Sequence, residues 1–190
     1  APGETKVLAE IDGPGAISDE AVYLWQAKLL ATGCFKEPAP PHADSFALPG
    51  LLIRDGFRLS QYPAGWPLAL IPWVVAGVPW GLNLLLAAAA VGLTYGLARL
   101  TGSAGVAWVA AGLTALSPFF VSLATTYLSH TLALVLTLGF LLALRMREVS
   151  PRPTRWTVVA GSMVGYALNV SPLVAIPMGV VALEQAVAAR

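Results

Sequence analysis

The stretch that decides the fold is residues 59–98, LSQYPAGWPLALIPWVVAGVPWGLNLLLAAAAVGLTYGLA. It fills forty positions between Arg58 and Arg99 without a formally charged residue, and the next 45 positions, up to Arg145, carry none either. One helical crossing of a bilayer needs about 20 apolar residues. Each stretch has room for more than one crossing, and a soluble chain of 190 residues has no use for either. The expected fold class is all-α: a polytopic membrane protein with about four transmembrane helices and an extracytoplasmic, juxtamembrane head.

Composition agrees. The chain is 57% hydrophobic and 11% charged, with a mean hydropathy of +0.72, where soluble domains carry about 25% charged residues. The net charge of +1 gives no reason to expect a nucleic-acid partner. Residues 1–62 hold eight acids against five bases, and the remainder six bases against two acids, so an acidic head precedes a basic body. Cys34 is the single cysteine, which excludes an internal disulfide and a cysteine-based metal cluster. The chain starts at Ala1 and stops at Arg190 inside an apolar run, and is expected to be a piece of a longer one.

Working outward, residues 1–65 read as an extracytoplasmic loop carrying an amphipathic helix over 19–33, DEAVYLWQAKLLATG. Ser18 suits its N-cap, Asp19 and Glu20 suit the positive end of the helix dipole, and Gly33 suits its end. Tyr23 and Trp25 fit a water–lipid interface. Residues 34–62 read as a Pro/Gly-rich loop. Residues 66–80, interrupted by Pro67, Pro72 and Pro79, are expected to be re-entrant or interfacial, anchored by Trp66, Trp73 and Trp80. Residues 81–190 form the expected bundle, with spans at about 82–99, 104–122, 130–146 and 157–177, and a further element beginning near Val180.

Orientation follows from Arg145, Arg147, Arg152 and Arg155, which mark their loop as cytoplasmic. Counting back places residues 1–80, Tyr127–His130 and Pro172–Pro177 on the other face. The unusual polar residues thus share one side, the natural place for a site. Asp19-Glu20 can supply a general base or a metal ligand, and also suits simple dipole capping. Ser129-His130 opens a span, where a histidine can hold a phosphate or a metal or merely sit at headgroup level; Tyr127 lies one turn before. His42 reads as solvated. Asn169-Val170-Ser171-Pro172 breaks the last span, where freed carbonyls can line a cavity.

These pieces come in a recognisable order: DE-x-x-Y-x-x-Q-A-x-x-L-x-x-G from Asp19 to Gly33, QYPAGWPL from Gln61, S-P-F-F from Ser117, and Y-L-S-H-T-L-A-L from Tyr127. Over roughly residues 15–178 the chain resembles the N-terminal portion of the GT-C membrane glycosyltransferases, the protein O-mannosyltransferase and aminoarabinose-transferase-like superfamily. The resemblance implies a polyprenyl-phosphate sugar donor used on the non-cytoplasmic face of a bacterial inner (plasma) membrane. It implies that Asp19, with Glu20 beside it, is catalytic. Tyr62, Pro63, Gly65, Tyr127 and His130 would bind substrate, and Asp19 and His130 are the candidates for a divalent metal. The chain departs from the family at Asn169–Pro172, where members often carry a basic residue and no outer-face Arg or Lys replaces it. A second expectation therefore stands beside the first: a catalytically incomplete accessory or structural subunit, packed among other membrane subunits through its Gly- and Ala-rich surfaces. A transporter fragment is less well supported, since no span interior carries a charge.

Overall fold

The computed structural model describes residues 18–41 and 49–188, apart from the side chains of Ser18 and Ala188. Ser18 as a cap, His42 and the first 17 residues lie outside that description. Within it the chain is mostly helical, as the composition requires, and it divides into two compact units, one up to Trp80 and one from Gly81 onward.

The first unit opens with α1, Ser18–Ala31. Gly33 closes it in the left-handed region (φ 79°), where glycine alone is at ease, and its N–H returns to the Leu30 carbonyl at 2.9 Å. The helix is not the surface helix its sequence suggests. Ala21, Val22, Tyr23, Trp25, Gln26 and Ala27 are all buried and take up most of its circumference. Its neighbours are α2, Gly65–Val75, and a small sheet. Trp66 and Leu70 of α2 are fully buried with Val22. Trp66 is therefore a core residue, not the interfacial anchor expected of it.

The loop expected over 34–62 is also partly sheet. Strands β1 (Glu37–Pro38), β2 (Leu51–Arg54) and β3 (Phe57–Ser60) pair antiparallel in the order β1-β3-β2. Asp55 and Gly56 join β2 to β3 with φ values of 53° and 76°. Two successive positive φ angles make the hairpin turn whose twist matches its strands, and Asp-Gly is among its preferred sequences.

The second unit begins with α3, Trp80–Thr101, and continues with α4 (Ala104–Leu116), α5 (Pro118–Ala124), α6 (His130–Val149), α7 (Pro153–Val170) and α8 (Pro172–Ala188). α6 and α7 form a helical hairpin, with α8 against both. The buried stripe of α6, Leu132, Leu136, Gly139, Phe140 and Ala143, keeps the helical period. Tyr95 of α3 stacks on Trp108 of α4 with ring centroids 4.8 Å apart.

Two expected spans change shape. The one over 104–122 is two helices bent by 60°, because Pro118 cannot continue α4 and Ser117 takes extended angles. The one over 157–177 breaks at Ser171, extended before Pro172. The element expected from Val180 is the end of α8. Among the described residues, by length and composition, α3 alone is suited to cross a membrane, or two passages if the bent α4–α5 pair counts as one. In α6 the charge-free run stops at Arg145; 15 residues rise about 22 Å against a hydrocarbon core of about 30 Å.

Candidate functional site

In the first unit, Asp19, Tyr23 and Gln26 are spaced four and three residues apart, which puts them on one face of α1. Tyr62, in the turn before α2, lies along that face and touches all three. Its hydroxyl donates to Asp19 Oδ1 at 2.7 Å. Its ring tilts against that of Tyr23, with centroids 4.9 Å apart. Its carbonyl accepts from Gln26 Nε2 at 3.4 Å. Two sequence candidates separated by 43 positions, Asp19 and Tyr62, are therefore joined by a hydrogen bond. Pro63 follows in the same turn, Gly65 opens α2, and Glu20 is half-exposed beside Asp19.

Burial pushes the Tyr62 phenol above its usual pKa, and the hydrogen bond to the Asp19 carboxylate acts in the same direction. Both effects disfavour a second negative charge beside the first. Gly50 makes room for the ring. Its φ is 92°, and a Cβ there would come within 2.8 Å of the Tyr62 hydroxyl oxygen. Gln26 keeps one loose end: it is 9% exposed, and its Oε1 has no hydrogen-bond partner among the described residues.

Behind this face a second cluster fixes α1 to the sheet. Glu37 Oε1 accepts from Trp25 Nε1 at 2.8 Å and from Arg58 Nε at 2.6 Å, and Arg58 Nη2 reaches the same oxygen. Glu37 and Arg58 are cross-strand partners, and the guanidinium lies 5.3 Å from the Trp25 ring centre. This cluster holds the α1 face in place.

In the second unit, His130 is exposed at the start of α6 and lines a cavity of about 510 Å³ with Thr131, Ser117, Phe119, Leu123 and Leu134. Asn83 of α3, 2% exposed, donates to the Thr126 carbonyl and so ties α3 to the turn that carries Tyr127. Tyr127 is half-buried there. Among the described residues no group of three or more His, Cys, Asp or Glu that could hold a metal forms.

Sequence reasoning passed over Tyr23, Gln26, Gly50 and Thr131 as site residues. The first two had a signal in the four- and three-residue spacing from Asp19. Gly50 had none, because it depends on the Tyr62 ring packed against it, and Thr131 had none, because its burial shows only in the folded chain. Comparison with protein-family models, with curated proteins and with solved structures finds no match to this chain.

Proposed function

We propose that the chain is the N-terminal part of an integral membrane glycosyltransferase that moves a sugar from a polyprenyl-phosphate donor to an acceptor on the non-cytoplasmic face. The observation that carries this reading is the Tyr62–Asp19 hydrogen bond of 2.7 Å. Two of the four sequence motifs on which the resemblance rests meet at one carboxylate. Asp19 is the general base: it takes the acceptor's proton as the acceptor oxygen attacks the sugar's anomeric carbon and the lipid phosphate departs. Tyr62 orients the carboxylate through the hydrogen bond.

The membrane setting rests on exposed apolar surface. Only 22% of the apolar window of α3 is buried, whereas a core helix of a soluble protein is mostly covered. Trp108, Leu113 and Leu116 of α4 are 68–81% exposed. Lipid is the solvent that tolerates such faces. In this reading α3, the bent α4–α5 pair, α6, and α7 with α8 make the four passages, and Arg145–Arg155 face the cytoplasm.

The test is sugar transfer from a polyprenyl-phosphate donor by the wild type and by Asp19→Asn, with melting temperature as the control. The substitution keeps the shape and an acceptor for Tyr62 but removes proton-accepting ability. Turnover should fall by about 10²–10⁴-fold, typical of general-base loss. Equal turnover in both removes Asp19 from the mechanism. The alternative, an accessory subunit, is favoured by one observation: no Arg or Lys follows Arg58 before Arg99, and none lies in the Asn169–Pro172 segment. An inactive wild type that co-purifies within a larger membrane assembly decides for it.

A further inference from the structure

Gln26 sits among apolar neighbours on α1: Val22, Trp25 and Ala27 are buried with it. Its own side chain is 9% exposed, and Oε1 has no hydrogen-bond partner among the described residues. A buried amide oxygen without a donor is costly, and such groups are few in folded proteins. A methionine, unbranched and of similar length, would fill the same space without that cost. Where a residue type lowers stability in a core, the compensation is to be sought in function.

The carboxamide makes one contact that an apolar side chain would lack: Nε2 donates to the Tyr62 carbonyl at 3.4 Å. Tyr62 lies lengthwise along α1. Its hydroxyl is at Asp19, its ring on Tyr23 and its carbonyl at Gln26, two helical turns on from Asp19. The first two contacts hold the side chain. The third holds the main chain, where residues 61–64 belong to neither β3 nor α2. Pro63 confines the Tyr62 backbone to extended angles, so a tie at the carbonyl also fixes the direction in which the side chain leaves.

We infer that Gln26 is a positioning residue: its carboxamide fixes the Tyr62 main chain and thereby the hydrogen bond that orients Asp19. Without the tie, the ring can keep its stack on Tyr23 while the hydroxyl swings away from the carboxylate. With it, that freedom is gone and an amide oxygen is left stranded in the core. The inference rests on the reading of Asp19 as the general base, and Gln26 acts on the reaction only through Tyr62.

The full chain is compared in nanodiscs as wild type, Gln26→Met and Gln26→Leu. Both substitutions delete the stranded oxygen, so the melting temperature should stay level or rise. The Tyr62 phenol, isolated by subtracting Tyr62→Phe in each background, should ionise closer to pH 10 in both variants than in the wild type, because the ring leaves its place beside Asp19. In sugar transfer from a polyprenyl-phosphate donor, kcat should fall about 10–100-fold with the donor KM near its wild-type value, as for a misplaced reacting group. A phenol that ionises at the wild-type pH in both variants overturns the inference. So does a melting temperature lowered by both, which would make Gln26 an ordinary stabilising residue, or a shifted phenol with undiminished kcat. A wild type that transfers no sugar ends the transferase reading, while the phenol and the melting temperature still decide whether Gln26 sets the Tyr62–Asp19 bond.

Discussion

Tyr62 meets four residues from two parts of the first unit: Asp19, Tyr23 and Gln26 on α1, and Gly50 before β2. Two predictions belong to this side chain. The first is its titration. A phenol whose pKa is raised in the folded state contributes stability that is complete below the unfolded value, about 10, and is lost as pH rises through the folded value. A tyrosinate absorbance titration of wild type minus Tyr62→Phe should show one phenol ionising above pH 10, with the wild type losing more stability than the variant in that range. A difference curve with its midpoint at or below 10 contradicts the burial argument. The second concerns Gly50. Alanine there meets both the positive φ and the Tyr62 ring, so Gly50→Ala should cost more than about 1 kcal/mol in thermal or denaturant unfolding. A neutral result would mean that the ring is not held against α1.

At the scale of elements, what the sequence made legible was helix and its punctuation. Gly33 ends α1 and Ser171-Pro172 falls at a helix break, because Pro and positive-φ Gly act through local backbone sterics, whereas the break at Ser117-Pro118 was read through as one span. The sheet was missed although its turn was written out: Asp55-Gly56 sits between LLIR and FRLS. Short strands with mixed polarity resemble loop, and only their pairing reveals them. The face of α1 was misjudged for a similar reason: Trp25 and Gln26 are buried by partners that are distant in sequence. Glu37 is the residue that joins these elements. Glu37→Gln removes the charge on which Trp25 and Arg58 both converge, and should destabilise the unit by about 1–3 kcal/mol. Trp25 fluorescence during denaturant unfolding should report it, and an unchanged midpoint would make the cluster a bystander.

At the scale of the molecule, the long charge-free stretches made helical apolar architecture plain, while the number of crossings depends on bends and breaks that composition does not show. The topology proposed above can be tested with the protein's own exposed thiol, Cys34. In intact cells an impermeant maleimide should label Cys34. In a Cys34→Ser background it should label Ser150→Cys only after the membrane is opened. The reverse pattern rejects the arginine-based orientation.

The bend between α4 and α5 sets a dimension. Ser117 is the C-cap of one helix and the N-cap of the next, and Pro118 lacks the N–H that a straight helix would need. The pair cannot straighten to suit its surroundings. Thirteen residues rise about 20 Å, and the following seven, turned by 60°, add about 5 Å along the same axis. That total of about 25 Å falls short of an average hydrocarbon core of about 30 Å. In the proposed topology, where the pair is one passage, this shape suits a thin bilayer, and a thicker one must deform around it at a cost that rises with each ångström. The chain should therefore melt at a higher temperature in nanodiscs of short-chain lipid than in long-chain ones, and Pro118→Ala should narrow that difference.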